Sequence, residues 1–277
     1  MDSTEDLFAW RRLDPLGIEI DYDFSGPLSP AQSAELVRLL WQHGLVLARG
    51  QSLDMTRQQA LCAVFGPILI RPGENGYLTT EPGIAATLSE LSWHADAACT
   101  DAPFDALSLH AIDVVADASS TRFVDTAAAL AALPADLRAA IAEAEVEMIS
   151  PHYTAIGTRA CDDPDPTATK RSVMPAVRRN PHNGRDGLWV SELQTARVMG
   201  MNRPESRDLL HAVFDHLYRT EHVFDHRWRT GDLIVWDNLA LQHMRGSLKD
   251  CGTRILQRVI VGTEGAMPHA VPGVAMV

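Results

Sequence analysis

The sequence lacks the features of a membrane, secreted or nucleic-acid-binding protein. Residues 1–12 are acidic and polar and contain no apolar stretch, so no signal peptide is expected there. No apolar run approaches the ~20 residues of a membrane span. Acidic residues outnumber basic ones by 36 to 24, which gives a net charge of −12 and no general attraction to phosphate backbones or anionic lipid. These absences favour a cytoplasmic protein with a small-molecule substrate and no nucleic-acid or membrane partner.

Cysteine is also scarce. The four cysteines are scattered and form no CxxC pair; they are Cys62, Cys99, Cys161 and Cys251. The sequence therefore predicts reduced, partly buried thiols and not a disulfide framework or a structural zinc site.

No repeat and no low-complexity linker divides the 277 residues, and the hydrophobic fraction of 46% is ordinary for a globular chain. We therefore predict a single domain over residues 1–277. Residues 73–92 are rich in turn-forming residues, and residues 151–187 are rich in proline and charge. Both segments are predicted to be lids or binding loops.

The hydrophobic pattern predicts a mainly β protein with flanking helices. The last four predicted strands have no helices between them, which suits a β-sandwich better than a parallel α/β sheet. Helices are predicted at 29–44, 55–65, 127–145 (with Pro134 at the start of its second half) and 205–218. Strands are predicted at 45–48, 104–115, 187–190, 224–228, 232–236, 239–244 and 255–261.

Three residues form a candidate metal site. His94 and Asp96 are two apart, and on an extended segment residues i and i+2 face the same side. His243 is the best candidate for a third ligand. Two imidazoles and one carboxylate with open positions are the ligand set of a non-haem Fe(II) oxygenase.

The turn-forming residues 249–252 lie between two apolar runs and predict a hairpin. Such a hairpin would place His243 roughly opposite Leu256 or Gln257.

Two arginines follow on the predicted strand. Arg254 and Arg258 share one face with Leu256 by the period-2 rule, and if this is the His243 face both flank the metal inside the barrel. Buried positive charge is costly unless it is paired, and a bound dianion would supply the pairing.

The chain resembles the taurine/2,4-dichlorophenoxyacetate dioxygenases, which depend on Fe(II) and 2-oxoglutarate. The resemblance extends from about residue 45 to residue 262. The residues that carry it are 93–96 (WHAD), 120–123 (STRF), 181–185 (PHNGR), 226–238 (HRWRTGDLIVWDN), 242–243 (QH) and the arginines eleven and fifteen residues beyond His243.

The resemblance implies a double-stranded β-helix (jelly-roll) fold in which His94, Asp96 and His243 hold the iron. In related halogenases a small residue replaces the carboxylate to admit chloride, so Asp96 argues for oxygen chemistry. For the co-substrate, the resemblance implies that Arg254 and Thr121 bind the distal carboxylate of 2-oxoglutarate. The keto acid would chelate iron through its C1 carboxylate and 2-keto oxygen, and Arg258 would lie near that chelating end and near the substrate.

The implied reaction couples decarboxylation of 2-oxoglutarate to succinate with hydroxylation of an unactivated C–H bond, with O₂ as oxidant. Desaturation, cyclisation and C–X cleavage remain open as outcomes. Outside this class, a zinc hydrolase or a non-catalytic jelly-roll binding protein could use the same residues, although no HExxH motif is present. Relatives of this family frequently form dimers or tetramers, so a homo-oligomer is open.

Substrate signals are few. Arg71 stands where the similar segment of the taurine enzyme has a substrate-binding histidine, and it would recognise an anion. Glu90, four residues before His94, would pair with an ammonium group. Together they would fit a small anionic or amino-acid-like substrate. His222 and His226 have a zinc-compatible spacing only on a helix, whereas their segment is predicted to be extended.

Overall fold

The computed structural model describes residues 7–70, 76–81, 88–150, 159–162 and 171–265. This part of the chain contains five α-helices: α1 (Pro30–His43), α2 (Met55–Cys62), α3 (Thr126–Ala132), α4 (Ala135–Ala142) and α5 (Arg203–Leu217). It contains seventeen strands: β1 (Ala9–Arg12), β2 (Ile18–Asp21), β3 (Leu45–Ala48), β4 (Ile68–Leu69), β5 (Tyr77–Thr79), β6 (Leu91–His94), β7 (Ala106–Val114), β8 (Ser120–Asp125), β9 (Glu145–Ile149), β10 (Arg171–Pro175), β11 (Val177–Arg179), β12 (Asp186–Leu188), β13 (Thr195–Val198), β14 (Val223–Arg227), β15 (Leu233–Asp237), β16 (Leu241–Arg245) and β17 (Arg254–Val261).

Two sheets form the core of the fold. An eight-stranded sheet has the order β1-β2-β3-β15-β7-β17-β4, with β5 also pairing with β17. A four-stranded sheet has the order β14-β8-β16-β6. A three-stranded sheet (β10-β9-β13) and a two-stranded ribbon (β11-β12) complete the β structure of the described residues. The predicted class, mainly β with flanking helices, is confirmed.

A shared hydrophobic core joins the two main sheets. Phe123 and Leu241 come from the four-stranded sheet, and Leu107, Trp236 and Leu256 come from the eight-stranded sheet. All five side chains are buried. Burial of apolar surface at ~25 cal/mol per Å² makes this layer a main source of stability, and it holds the inward faces of β8, β16 and β17 together.

The helices cover the outer faces of the sheets. α1 begins at a capping box in which Ser29 and Gln32 bond each other's backbone N–H groups, and it ends at Gly44 with a left-handed φ of 75°. Its Leu39 and Leu40 side chains pack with α2 and with the outer face of the eight-stranded sheet. α3, α4 and α5 contribute to a second cluster over the remaining sheets.

Some predicted boundaries are wrong. The helix predicted at 127–145 is two helices separated at Leu133 and Pro134, and β9 begins at Glu145. The proline ring disfavours helical backbone in the preceding residue, and Leu133 accordingly has an extended ψ of 139°. The helix predicted at 55–65 ends at Cys62.

The predicted hairpin between the last two strands is also wrong. β16 belongs to the four-stranded sheet and β17 to the eight-stranded sheet, so the turn between them carries the chain across the core. His243 lies opposite His94 and Phe123 instead of Leu256 or Gln257. A turn signal fixes where a chain reverses, but it does not specify the strand with which the next segment pairs.

The two segments predicted as lids contain regular structure where they are described. β5 lies within residues 73–92, and β6 begins in that segment. β10 and β11 lie within residues 151–187, and β12 begins at its end. Among the residues described, no helix is long and apolar enough to span a bilayer.

Candidate metal centre and anion pocket

Three candidate ligands converge at the inner face of the four-stranded sheet. His94 ends β6 and lies directly opposite His243 on β16, with ring centroids 4.2 Å apart. Asp96 follows just beyond the strand, and its Oδ1 lies 3.3 Å from His94 Nε2. The potential ligand atoms of the three residues all lie within 4.8 Å of one another. One ion could therefore contact all three.

The loop that carries Asp96 is held by a side chain from the other sheet. Asn238, just after β15, accepts from the Asp96 N–H (2.9 Å) and donates to the Asp96 carbonyl (2.9 Å). Its amide also donates to the Phe104 carbonyl at 3.0 Å. Gln194 makes a similar reciprocal pair with the backbone of Ala95, at 3.3 and 3.0 Å. The position of Asp96 is thus fixed by contacts remote in sequence, and not by an extended strand alone.

Hydrogen bonding sets the protonation of the His94 ring. His94 Nδ1 lies 2.8 Å from the Ser92 carbonyl oxygen. Because a carbonyl only accepts, Nδ1 carries the hydrogen, and the lone pair of Nε2 points to the shared space beside Asp96. His243 Nδ1 is buried with no hydrogen-bond partner among the described residues.

The charges of the cluster suit a divalent cation. Burial, with His94 and Arg258 close by, lowers the pKa of His243 to about 3 although the Asp96 carboxylate acts in the opposite direction. Burial acts to raise the pKa of Asp96, but the neighbouring His94, His243 and Arg258 side chains outweigh it and hold that pKa well below its usual value. At neutral pH His243 is therefore a neutral imidazole and Asp96 an ionised carboxylate, the protonation states that metal binding requires.

A second group of polar residues lies on the inward faces of the strands. Arg254, at the start of β17, is 3% exposed. Its Nε has no hydrogen-bond partner within the described part of the chain, and burial lowers its pKa to about 10. Thr121 on β8 is buried, and its hydroxyl oxygen accepts from Trp228 Nε1 at 3.0 Å. The Thr121 hydroxyl hydrogen and the Arg254 guanidinium are donors suited to a carboxylate.

Arg258 lies near the candidate metal site. It is on the same face of β17 as Arg254 and Leu256, and Leu256 packs in the core between the sheets. Its charge acts on both Asp96 and His243. That Arg254 and Arg258 flank a bound metal from inside the barrel stays a prediction.

The two predicted substrate residues lie in different situations. Glu90 is exposed, immediately before β6, and its charge acts on Glu192 and Arg245. Arg71 lies outside the described residues.

The His222/His226 spacing has a structural explanation. His226 Nε2 lies 3.1 Å from Asp232 Oδ2, and both side chains are almost fully buried. His222 Nδ1 instead lies 3.1 Å from the His216 carbonyl oxygen. His222 ends a short 3-10 helix (Thr220–His222) and His226 lies on β14, so the two rings have separate partners.

Within the described part of the chain, one other cluster has metal-compatible residues, namely Cys161, Asp162 and His211. His211 Nε2 is only 2.7 Å from Asp162 Oδ1, and burial raises the pKa of the Cys161 thiol to about 11. The group is therefore a protonated thiol beside a paired histidine and carboxylate. All four cysteines are free and buried in the structure.

Several residues that shape the site were missed from the sequence. Asn238 and Trp228 lie in the segment that carries the resemblance, but only their contacts show what they do. Gln194 and Arg245 lie outside every motif identified. The only signal in the sequence that could have identified these residues was an amide or guanidinium side chain close to a predicted core strand.

Comparison with known proteins agrees with this geometry. The family model described as "Taurine catabolism dioxygenase TauD, TfdA family" matches residues 9–260. The chain is 28% identical over 272 residues to the alpha-ketoglutarate-dependent 2,4-dichlorophenoxyacetate dioxygenase of Cupriavidus pinatubonensis, covering 86% of this chain and 90% of that protein. It is 28% identical over 274 residues to the alpha-ketoglutarate-dependent sulfate ester dioxygenase of Pseudomonas putida, covering 93% and 87%.

Solved structures share the fold. A taurine dioxygenase from Burkholderia xenovorans superposes with a TM-score of 0.78 at 22% identity over 98% of both chains. The structure of AAD-2 with Mn(II) and N-oxalylglycine superposes with a TM-score of 0.75 at 22% identity, covering 93% of this chain and 98% of that one. The predicted jelly-roll core is thereby confirmed. With a family model that matches from β1 almost to the end of β17, the chain belongs to the TauD/TfdA family of dioxygenases.

Proposed function

We propose that the chain is an Fe(II)- and 2-oxoglutarate-dependent dioxygenase in which His94, Asp96 and His243 bind the iron. The observation that carries the proposal is the convergence of two imidazoles and one carboxylate within 4.8 Å. This donor set leaves coordination positions open for further ligands. The relatives named as alpha-ketoglutarate-dependent dioxygenases support the same reaction class.

The co-substrate pocket is assigned to Thr121, Arg254 and Arg258. Arg254 and Thr121 would bind the distal carboxylate of 2-oxoglutarate, and Arg258 would lie near the chelating end of this acid and near the substrate. A buried guanidinium without a described partner supports this assignment, because an anion removes the cost of its burial. Bound iron supplies the redox chemistry that couples O₂ and the decarboxylation of 2-oxoglutarate to succinate with attack on a C–H bond.

The protein orients the reacting groups and lines one side of the site with apolar side chains. The Trp236 and Phe123 rings lie 5.0 and 6.2 Å from the His243 ring, measured between centroids. Both are almost fully buried. Apolar walls exclude water from one side of the site and strengthen the electrostatic interactions inside it.

The proposed substrate is a small anionic or amino-acid-like molecule that is hydroxylated. Arg258 near the metal site, with Arg71, would recognise the anion, and Glu90 would recognise an ammonium group. The named substrates of two relatives, 2,4-dichlorophenoxyacetate and sulfate ester, are anions. Desaturation, cyclisation and C–X cleavage are alternative outcomes of the same site.

We further propose one domain over residues 1–277, with the segments 73–92 and 151–187 covering the substrate. A cytoplasmic location is supported by the four free thiols. Assembly into a dimer or tetramer is open to a direct measurement of mass in solution.

An anaerobic optical titration with Fe(II) and 2-oxoglutarate tests the proposal. We expect a weak metal-to-ligand charge-transfer band that is lost in His94→Ala and Asp96→Ala. The control is His211→Ala, which removes a histidine on α5 and should retain the band. With O₂, succinate should form only when Fe(II) is present. A folded, metal-loaded protein with neither band nor succinate would favour a zinc hydrolase or a non-catalytic binding protein.

The substrate assignment has its own test. Arg71→Ala should weaken binding of an anionic substrate found by screening, and Glu90→Gln should weaken binding only if that substrate carries an ammonium group. Unchanged affinity in Arg71→Ala would remove the anion assignment at that residue and leave the reaction class intact.

A further inference from the structure

Arg245 shares the interior face on which the candidate site is built. On β16, Arg245 follows His243 by two residues. On β8, His243 pairs with Phe123 and Arg245 pairs with Thr121, so the two partners are also two residues apart. Residues two apart on a strand face the same side. Arg245 therefore points to the same interior as His243 and lies directly opposite Thr121.

The environment of Arg245 leaves its charge uncompensated. Its Nη1 donates to the Gly246 carbonyl at 3.0 Å, and the side chain is partly buried. No described carboxylate lies within ion-pair distance of it, and Glu90, whose charge acts on it, is exposed. Solvent screens an exposed charge strongly, so Glu90 offsets little of the cost of burying Arg245.

Arg254 adds a second guanidinium to the same region. After burial, the charge of Arg245 is the next cause that lowers the pKa of Arg254. The Arg254 guanidinium likewise has no carboxylate partner in the described ranges. Two positive charges facing one interior space repel each other unless an anion lies between them.

We propose that Arg245 is a second guanidinium for the distal carboxylate of 2-oxoglutarate, acting with Arg254 and Thr121. The inference rests on the proposed function and deepens it, because the family resemblance assigns only Arg254 and Thr121 to this carboxylate. One arginine fills only part of the acceptor sites of a carboxylate. A second guanidinium and a hydroxyl can donate to the remaining sites. The pocket accordingly selects 2-oxo dicarboxylates over 2-oxo monocarboxylates.

Binding to the Mn(II)-loaded protein under calorimetry tests the role directly, without turnover. The two probes are N-oxalylglycine, which carries the distal carboxylate, and oxamate, which has the same chelating end but lacks that arm. In Arg245→Met, N-oxalylglycine should bind about 10- to 100-fold more weakly, the loss expected for a hydrogen bond to a charged group. Oxamate affinity should change by less than about twofold, since Arg245 does not contact the chelating end.

Two further variants provide the comparison. Arg254→Met should show the same selective loss of N-oxalylglycine. Arg122→Met removes an arginine next to Thr121 that pairs with Asp225 at 3.4 Å, outside this pocket, and both affinities should be unchanged. If Arg245→Met does not fold, Arg245→Lys replaces it, with a smaller selective loss because an ammonium cannot bind bidentately.

The outcomes separate the inference from the function on which it rests. If wild-type protein fails to bind N-oxalylglycine, the proposed function is wrong. If wild-type binds it and Arg254→Met alone loses it, the function stands and the role of Arg245 is overturned. Equal weakening of both probes in Arg245→Met would also overturn it, since that result indicates a structural defect and not a contact with the distal carboxylate.

Discussion

Asn238 clasps the backbone of Asp96 at both of its polar groups, with two hydrogen bonds of 2.9 Å between residues 142 positions apart. The pairing joins the end of β15 in the eight-stranded sheet to the loop after β6 in the four-stranded sheet. The Asn238 amide therefore positions a candidate metal ligand. It is not a candidate ligand itself, because it is bonded to the Asp96 backbone.

Replacing this amide should loosen the metal site. In Asn238→Ala the Asp96 N–H and the Asp96 carbonyl both lose the Asn238 side chain, and unsatisfied buried groups cost about 1–3 kcal/mol each. We expect the free energy of unfolding to fall by that order and Mn(II) affinity to fall about 10- to 100-fold, as for other residues that orient ligands. Denaturant unfolding and metal titration measure the two effects.

Asn202→Ala is the matched control for this variant. Asn202 caps α5 by accepting from the Glu205 N–H, far from the cluster. Its loss should cost about 1 kcal/mol of stability without changing metal affinity. Equal metal affinity in both variants would show that Asn238 has no positioning role.

The Thr121 hydroxyl should link the core to co-substrate binding. Thr121→Val leaves Trp228 Nε1 buried without an acceptor, which should destabilise the protein by about 1–3 kcal/mol. It also removes the donor proposed for 2-oxoglutarate, so the KM for that acid should rise. Thr121→Ser keeps the hydroxyl and should retain most of both properties. Steady-state succinate formation and thermal unfolding provide the measurements.

The buried pair of His226 and Asp232 should make stability depend on acid pH. Burial acts to raise the pKa of Asp232, but the bonds from His226 and the Arg229 N–H outweigh it, so the folded-state pKa lies below the unfolded value. A depressed carboxyl pKa contributes stability that is present above the unfolded pKa of about 3.9 and is lost as pH falls through the folded pKa.

Asp232→Asn isolates this contribution. At pH 7 the variant should be less stable by up to about 3–5 kcal/mol, because His226 and Arg49 lose a buried anionic partner. The difference from wild type should shrink as pH falls below about 4 and should be lost once the pH is below the folded-state pKa of Asp232, where both chains present a neutral group. Urea unfolding across this pH range checks the sign, and a difference that grows in acid would contradict it.

Gly231 should tolerate no side chain. Its φ is 87°, and an added Cβ would lie 3.1 Å from the Gly50 Cα. Gly231→Ala should therefore cost about 1–2 kcal/mol from backbone strain alone, with steric crowding in addition. Gly26→Ala is the control, since nothing lies within 4 Å of its added Cβ. Comparing their unfolding midpoints measures the difference.

Local chemistry in the sequence predicted the elements better than their pairing. Ser29 and Gly44 mark the ends of α1 because a cap is satisfied within a few residues. The strand around His243 was also predicted, but its partners were wrong because pairing depends on which sheet a strand enters.

The candidate site divides in the same way. His94, Asp96 and His243 were predicted as a set from residue type and spacing, and the structure brings them together. The roles of Asn238 and Arg245 can be inferred only from the structure. Asn238 bonds to the Asp96 backbone, and Arg245 lies opposite Thr121 on the neighbouring strand. No local pattern encodes such contacts, because they depend on the packing of two sheets.

The pairing of Asn238 with Asp96 makes the cluster sensitive to the alignment of the two sheets. Both imidazoles belong to neighbouring strands of the four-stranded sheet, whereas the carboxylate is tied to the end of β15. A small slide of one sheet over the other would leave the histidines paired and carry the carboxylate away. An ion bound by all three side chains would therefore also link the two sheets. The proposed oxidation chemistry and the stability of the barrel would then depend on the same few atoms.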